Sequence, residues 1–181
     1  MRLSVYKSGH ISHGVRGRPV FGLLRLALVA FVVLGIAACA TRGPKDQKTF
    51  PVPCIWPTPA SARTVSSEFG EVRAAGGGRS RYHQGIDIRA PKGCPVYATA
   101  DGVVCTVDRD RRGYGKYVVI QHPGGYSTLY AHLADFKVKQ GKKIRAGEVI
   151  GKVGKTGRAT GCHLHYEVRQ NGRAVNPRPF L

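Results

Sequence analysis

RYHQGIDI (residues 81–88) and CHLHYEV (residues 162–168) are the two stretches from which the fold and the chemistry of this chain can be worked out. The first places His83 and Asp87 four positions apart, and the second places two histidines two positions apart in a run typical of a β-strand. Side chains alternate between the faces of a strand, so residues at even spacing share a face. His83 and Asp87 therefore share a face if their segment is extended, and so do His163 and His165. Leu164, Tyr166 and Val168 then point the other way, into a core. Two histidines and one carboxylate around an open fourth position are typical of a catalytic zinc site.

Three short motifs stand in the order found in a known enzyme family. They are His83-x-x-x-Asp87, Tyr130-Ala131-His132-Leu133 and His163-x-His165. Together they resemble the motifs of the LytM/lysostaphin-type zinc metalloendopeptidases (peptidase family M23), which cut bacterial cell-wall peptides. Each motif alone is weak, but the three in this order are specific. Further matches stand between them: Ala90-Pro91, Pro95-Val96-Tyr97-Ala98 and Asp101-Gly102-Val103-Val104. The resemblance covers residues 63–179.

The resemblance implies a role for each of these polar residues. It makes His83, Asp87 and His165 the three protein ligands of a Zn²⁺ ion, with a water in the fourth position. Water bound to zinc acidifies towards neutrality and supplies hydroxide. His132 and His163 match the catalytic pair of the family, which would orient or deprotonate the water and protonate the leaving amine.

Three further features of the same region receive separate interpretations. Tyr114, within Gly113-Tyr114-Gly115, matches a family tyrosine that stabilises the oxyanion of the tetrahedral intermediate. His122 ends a predicted strand away from the motifs, and we expect it to be structural. The run Gly76-Gly77-Gly78 lacks the Lys-Ser/Thr continuation of a nucleotide-binding loop, so it predicts a flexible surface loop beside the groove.

The beginning of the chain has the pattern of an exported lipoprotein. Residues 1–25 carry basic residues and no acidic one, and Leu26 to Ala40 runs without a charge. This run is shorter than the roughly 20 residues of a membrane span, but it suits the apolar region of a signal peptide. Ile36-Ala37-Ala38-Cys39 resembles a bacterial lipobox, in which Cys39 is lipidated and becomes the mature N-terminus. The alternative is an ordinary signal peptide in which Cys39 is incidental.

We therefore divide the chain into a lipoprotein signal peptide (1–38), a lipidated cysteine with a proline-rich tether (39–62) and a zinc endopeptidase domain (63–181). Trp56 is expected to pack where the tether meets the fold. The signal peptide carries five of the 29 basic residues and none of the 10 acidic ones, which leaves a net charge of +14. This charge suits polyanionic surroundings such as the cell wall or acidic lipid headgroups. Export and the lack of a recognisable nucleic-acid motif argue against nucleic acid as a partner.

Short apolar segments separated by glycine-containing turns predict an all-β domain from residue 83 onward. We expect one hairpin at Asp101-Gly102, a dipeptide typical of two-residue turns, and a second around Pro123-Gly124-Gly125. The last long strand is expected to run from Cys162 to Arg169 and to end at the Asn171-Gly172 turn. No amphipathic helix is evident. The predicted fold class is a twisted antiparallel β-sheet or sandwich, and the family resemblance adds an active-site groove across it.

Four cysteines remain after Cys39: Cys54, Cys94, Cys105 and Cys162. An even number in an oxidising compartment predicts disulfides, and three pairings are possible. Cys94 and Cys105 lie almost symmetrically about the first predicted hairpin turn, which favours a bridge between them and leaves Cys54 with Cys162. The alternative is free thiols.

The expected function is that of a zinc-dependent endopeptidase hydrolysing peptide cross-links in bacterial peptidoglycan. A rival of another class is a non-enzymatic LytM-like regulator that activates cell-wall amidases, but such members usually have lost metal ligands and this chain keeps the whole set. A third hypothesis is a basic wall-binding lipoprotein with a vestigial site.

The expected partners are peptidoglycan peptides, the membrane through the lipid anchor, and regulatory proteins. We expect the protein to be exported and anchored to a membrane. Ala40 after Cys39 favours the outer membrane, facing the periplasm, in a host that has one; in any other host we expect the cell surface.

Overall fold

The computed structural model describes residues 48–74 and 80–181. The predicted signal peptide, Cys39 and Gly76–Gly78 lie outside these residues. The described residues form twelve strands: β1 Thr64–Ser67, β2 Val72–Ala74, β3 Ser80–Tyr82, β4 Ile86–Arg89, β5 Pro95–Tyr97, β6 Gly102–Asp110, β7 Gly115–Gln121, β8 Tyr126–Phe136, β9 Lys143–Ile144, β10 Val149–Val153, β11 His163–Gln170 and β12 Arg173–Val175. They also form three single-turn 3₁₀ segments: Ala60–Ala62, Pro123–Gly125 and Arg178–Phe180. Within the described residues, no helix has the length and hydropathy needed to cross a membrane.

Ten of these strands form one antiparallel sheet. Its order is β1-β4-β11-β8-β7-β6-β9, with β10 paired to β5 and β8, and β12 paired to β11. β2 and β3 form a separate two-stranded ribbon. This architecture confirms the predicted fold class. Because β11 lies between β4 and β8, the three sequence motifs meet on neighbouring strands, although as many as 82 residues separate them along the chain.

β11 has two faces with different chemistry. Leu164, Tyr166 and Val168 are fully buried in the apolar core, as the alternation in the sequence predicts. Burial of such a side chain stabilises the fold by about 1.5–3 kcal/mol. The residues between them, which include His165, face the opposite side of the strand. Packing of one face therefore fixes the position of the polar side chains on the other.

Two tyrosines of the core satisfy their hydroxyl groups through Thr99. The Thr99 hydroxyl lies 2.9 Å from the Tyr166 hydroxyl and 3.0 Å from that of Tyr130. The Thr99 N–H also donates to the Tyr130 hydroxyl at 3.0 Å. Because buried polar groups are costly unless they are hydrogen-bonded, this arrangement allows both tyrosines to sit at the centre of the sheet.

Of the two predicted hairpins one is confirmed and one is wrong, and the turn predicted at Asn171-Gly172 is present. β7 and β8 pair across Pro123–Gly125, and β11 and β12 pair across Asn171-Gly172. The hairpin at Asp101-Gly102 does not form, because β5 pairs with β10 while β6 pairs with β7 and β9. The Asp101 carboxylate instead accepts hydrogen bonds from the N–H groups of Phe50 and Ala146, at 3.0 and 2.8 Å. Asp101 therefore connects two segments that are distant in sequence, and it does not form a local hairpin turn.

This strand pairing also removes the basis of the predicted disulfides. Cys94 precedes β5 and Cys105 lies on β6, two strands that are not neighbours in the sheet. The structure has all four described cysteines as free thiols, which contradicts both the Cys94–Cys105 and the Cys54–Cys162 bridge. Burial raises the pKa of the Cys94 thiol, and a raised pKa makes a thiol less reactive.

Part of the predicted tether belongs to the folded domain. Phe50 exchanges backbone and side-chain hydrogen bonds with Asp101, and the Cys54 N–H donates to Thr99 O at 3.1 Å. Pro57 O accepts a hydrogen bond from the Tyr97 N–H at 2.9 Å. Trp56 packs against the core, as predicted. Contacts with the domain are therefore already present at Phe50, before residue 63.

Gly85 lies just before β4, at a close approach of the chain to β11. A Cβ atom at this position would stand 2.2 Å from the carbonyl oxygen of Tyr166. We expect Gly85→Ala to push the two strands apart and to lower the free energy of unfolding by about 1–3 kcal/mol, the usual cost of overpacking. Gly161→Ala is the matched control, because no atom lies within 4 Å of the added Cβ there. Chemical denaturation measures both variants, and equal midpoints would contradict the close approach.

His122 is buried and hydrogen-bonded within the fold. Its Nδ1 lies 2.7 Å from Asp101 O and its Nε2 lies 2.7 Å from the Thr128 hydroxyl. Burial lowers the pKa of His122. Its stabilising contribution is therefore complete above the ordinary pKa of about 6.5 and is lost as the pH falls through the lower pKa of the folded state.

We expect the gap in unfolding free energy between the wild type and His122→Gln to shrink as the pH falls from 7.5 to 5, because only the wild type must charge a buried imidazole. The expected change is about 1.4 kcal/mol for each unit by which the two pKa values differ. Urea denaturation at several pH values measures it. A gap that is constant with pH would show that His122 titrates normally.

Candidate functional site

Strand pairing brings the ligand-type residues of the first and third motifs together. β4 and β11 are neighbours in which Asp87 stands directly opposite His165, and His83 lies just before β4. His83 Nε2 is 3.1 Å from Asp87 Oδ1 and 3.0 Å from His165 Nδ1. His165 Nδ1 is 2.9 Å from Asp87 Oδ1. All three side chains are buried. Their three ligand atoms therefore converge at a position shielded from solvent.

These three atoms have the arrangement of a metal-binding group. Ligands bound tetrahedrally at the 2.0–2.1 Å typical of zinc stand about 3.3 Å from one another. The observed separations of 2.9–3.1 Å are slightly shorter, so a small outward shift of the side chains would admit an ion. Two imidazoles and one carboxylate also leave a fourth position for water. The donor set therefore fits the zinc ion expected from the sequence.

The second nitrogen of His83 is held by the backbone. His83 Nδ1 lies 2.7 Å from Glu68 O, and a carbonyl can only accept, so the proton is on Nδ1. The lone pair on Nε2 then faces Asp87 and His165. This hydrogen bond fixes both the tautomer and the orientation of the ring, as is usual for metal-binding histidines.

Asp87 uses its two oxygens differently. Oδ1 faces the two histidines, whereas Oδ2 accepts a hydrogen bond from Arg73 Nη2 at 2.6 Å. Burial opposes ionisation of this carboxyl group. The proximity of the His165 and His83 rings and the hydrogen bond from Arg73 outweigh that effect and hold the pKa of Asp87 well below its usual range. The aspartate is therefore ionised under all ordinary conditions, as a metal ligand must be.

His132 and His163 form a second pair beside the ligand group. Their ring centroids are 4.7 Å apart. His132 Nδ1 lies 2.8 Å from Thr156 O and His163 Nδ1 lies 3.0 Å from Gly161 O, so in each neutral ring Nε2 keeps its lone pair. His163 Nε2 is 3.7 Å from Asp87 Oδ1. Both rings are thus placed next to the ligand group without belonging to it.

Two properties of His132 are typical of functional positions. Its backbone has a φ of 59°, a left-handed conformation that costs a non-glycine residue about 1–3 kcal/mol. Burial lowers the pKa of its imidazole to about 4, although the hydrogen bond to Thr156 partly opposes this. The ring is therefore neutral at physiological pH and can accept a proton.

Tyr114 lies at the site, but its hydroxyl proton already has an acceptor. Tyr114 Oη donates to Glu167 Oε1 at 2.7 Å and accepts a hydrogen bond from Arg169 Nη2 at 3.2 Å. Burial and the neighbouring Glu167 carboxylate raise the pKa of the phenol. The oxyanion role stays a prediction, because it needs this proton to be turned towards the substrate.

A groove of about 300 Å³ opens over the ligand group. His83, His132 and His165 are among its lining residues. The other lining residues are Arg73, Arg81 and Tyr82 of the β2–β3 ribbon, Gln84 before β4, Asp110 at the end of β6, Gly113 and Tyr114 between β6 and β7, Arg158 in the loop before β11, and Glu167 on β11. Six of the twelve lining residues are histidine or arginine and two, Asp110 and Glu167, are carboxylic acids, so the groove suits a strongly polar ligand.

Two residues of this site, Glu167 and Arg73, were not predicted from the sequence. Glu167 is fully buried and its Oε1 lies 2.9 Å from His165 Nε2. The same alternation that groups His163 with His165 places Glu167 on their face of β11, so this signal was present. Arg73 reaches Asp87 from a separate ribbon across 14 residues of sequence, and no spacing rule predicts that contact.

The comparisons with known proteins agree with this geometry. The model of Peptidase family M23 matches residues 81–177. The chain is 58% identical over 97 residues to the DD-carboxypeptidase/endopeptidase Mpg of Neisseria meningitidis serogroup B, a match covering 54% of this chain and 22% of Mpg. It is 42% identical over 126 residues to the peptidoglycan DD-endopeptidase ShyC of Vibrio cholerae, covering 67% of this chain and 28% of ShyC.

A relative of another kind also matches. The chain is 37% identical over 126 residues to the murein hydrolase activator NlpD of Salmonella dublin, covering 70% of this chain and 30% of NlpD. The chain therefore spans less than a third of the length of each of these relatives.

A solved structure shares the fold. A zinc containing peptidase from Vibrio cholerae superposes with a TM-score of 0.65 at 37% sequence identity, covering 71% of this chain and 39% of that one. The family model spans all three motifs and more than half of the chain. The protein belongs to peptidase family M23.

Proposed function

We propose that this protein is a zinc-dependent endopeptidase that hydrolyses peptide cross-links in bacterial peptidoglycan. The observation that carries the proposal is the convergence of His83 Nε2, Asp87 Oδ1 and His165 Nδ1 within 3.1 Å of one another. The pair His132 and His163 stands beside them. A ligand group with an open position next to two imidazoles provides the groups needed to hydrolyse an amide bond.

His83, Asp87 and His165 would hold the zinc ion. Zinc would supply Lewis acidity and bring the pKa of a bound water to about 7. The imidazoles of His132 and His163 would accept the proton of that water and return one to the leaving amine. Their Nδ1 atoms are occupied by backbone carbonyls, so both would work through Nε2.

The charge of the groove supports an acidic peptide as the substrate. Arg81 and Arg158 line it, and the peptides of peptidoglycan carry carboxylate groups that arginine recognises in bidentate fashion. The relatives Mpg and ShyC are named as DD-endopeptidases, which supports a cross-link between peptide stems as the bond that is cut.

We further propose that the domain works close to a membrane. The sequence at Ile36-Ala37-Ala38-Cys39 supports lipidation of Cys39. Eleven positions separate Cys39 from Phe50, whose backbone is hydrogen-bonded to Asp101. Fully extended, they reach at most about 40 Å, which would restrict cleavage to wall material near the membrane.

A second candidate function is activation of a cell-wall amidase without catalysis. The similarity to the activator NlpD favours it. The complete ligand group and the two neighbouring histidines favour the enzyme, because a surface that only binds a partner needs neither.

We expect ligand variants and acid/base variants to fail differently. Asp87→Ala and His165→Ala each remove one of three protein ligands and should lose zinc and activity together. His132→Ala and His163→Ala keep all three ligands, so zinc should stay near one ion per chain while the rate falls about 10²–10⁴-fold. Metal analysis and cleavage of peptidoglycan peptides are measured side by side on the full chain.

The same experiment separates the enzyme from the activator. An activator does not depend on proton transfer, so it should tolerate His132→Ala and still support cleavage by a partner amidase. Wild-type cleavage by His132→Ala, or a wild type without zinc, would refute the endopeptidase.

Lipidation is tested separately. We expect the wild-type protein to partition with membranes and Cys39→Ala to be soluble or unprocessed, because the thiol is the site of acylation. Fractionation of cells followed by intact mass measurement tests this. Equal partitioning of both proteins in the absence of detergent would contradict a lipid anchor.

A further inference from the structure

Glu167 holds a negative charge in a fully buried position, with 0% of the residue exposed. A buried charge is costly unless it is paired and hydrogen-bonded. His165 Nε2 at 2.9 Å and Tyr114 Oη at 2.7 Å bind Oε1. Arg169 binds Oε2 through Nε at 2.8 Å and Nη2 at 2.7 Å. Both carboxylate oxygens are therefore satisfied by donors.

The contact with His165 determines where that ring carries its proton. An ionised carboxylate only accepts hydrogen bonds, so His165 must be protonated at Nε2. Its lone pair is then on Nδ1, the atom that faces Asp87 Oδ1 and His83 Nε2. The opposite tautomer would put a proton on the ligand atom.

The orientation of His165 is the reverse of that of the other site histidines. His83, His132 and His163 are all protonated at Nδ1 and present Nε2. Their acceptors are the backbone oxygens of Glu68, Thr156 and Gly161, respectively. His165 presents Nδ1 and is held by a side chain. Its tautomer is therefore the one in this group that a side-chain substitution can change directly.

We propose that Glu167 is the positioning residue of the metal site: it holds His165 in the Nε2–H tautomer, and Arg169 and Tyr114 hold Glu167 in place. This inference rests on the proposed zinc site, because it concerns how a ligand is prepared for the ion. It also gives Tyr114 a task that does not require contact with the substrate.

Glu167→Gln creates a conflict that the wild type does not have. If the amide oxygen faces His165, the amide NH₂ faces the donors of Arg169. If the oxygen faces Arg169, the NH₂ faces His165 Nε2 and requires a lone pair there, which puts the proton on the ligand atom Nδ1. In the first case two hydrogen-bond donors face each other, and in the second His165 carries its proton on the ligand atom. Both arrangements should weaken metal binding, although the shape of the side chain is almost unchanged.

Removal of the competing donor should relieve the conflict. In Glu167→Gln/Arg169→Met the amide oxygen can face His165 and Tyr114, and the NH₂ is free to reach the partly exposed space left by the guanidinium. A purely packing role of Glu167 predicts the opposite, because the double variant removes more native contacts than the single one.

The affinity for Zn²⁺ is measured by competition with a chromophoric chelator on the full chain in detergent. We expect Glu167→Gln to weaken binding about 10–100-fold, the usual effect of losing such a supporting contact, and the double variant to recover most of this loss. Glu148→Gln is the matched control, since that partly exposed carboxylate pairs with Lys142 outside the groove. Wild-type affinity in Glu167→Gln, or a double variant no tighter than the single one, would overturn the proposal.

A second readout does not need zinc. Nitrogen-15 shifts of the histidine rings in the metal-free protein, at a pH high enough to keep the imidazoles neutral, report the tautomer of each ring. We expect His165 to be protonated at Nε2 and the other three site histidines at Nδ1. A His165 protonated at Nδ1 overturns the role of Glu167. A wild type that binds no zinc but has the expected tautomers would refute the endopeptidase, whereas the control of the His165 tautomer by Glu167 would stand.

Discussion

The antiparallel pairing of β4 with β11 is the interaction on which the rest of this structure depends. It sets Asp87 opposite His165, and it can do so only because Gly85 lets the two backbones approach at the carbonyl of Tyr166. The other face of β11 is locked by the burial of Leu164, Tyr166 and Val168. The same strand thus supplies the apolar contacts that stabilise the sheet and the polar side chains that form the site. A change in register by one residue would exchange these faces and destroy both.

The site is built in layers around this pairing. Nearest the centre are three ligand atoms within 3.1 Å of one another. Around them, backbone carbonyls orient three histidines, and the buried Glu167 orients the fourth. Arg73 and Arg169 then neutralise the two carboxylates. Such supporting contacts restrict each ring to one orientation, which reduces the entropy lost when an ion or a substrate binds.

Much of this could be predicted from the sequence, and the failures have physical reasons. Alternation along 162–168 correctly predicted a strand with one core face and one polar face, because that signal is local. The hairpin at Asp101-Gly102 failed because the Asp101 carboxylate binds N–H groups of Phe50 and Ala146, 51 and 45 residues away, and local propensity carries no information on such partners. The predicted disulfides were wrong for the same reason, because the pairing of Cys94 with Cys105 assumed this hairpin. Glu167 could have been found from its spacing to His165, whereas the contact of Arg73 with Asp87 depends on how a separate ribbon lies against the sheet.

The central claim is that β4 and β11 hold one zinc ion between His83, Asp87 and His165. Anomalous diffraction at the zinc absorption edge, on crystals of the zinc-loaded protein, tests it most directly. The account predicts one strong peak about 2.0–2.2 Å from His83 Nε2, Asp87 Oδ1 and His165 Nδ1. A peak bound through His165 Nε2, a peak at Cys162, or no peak between the two strands would contradict it.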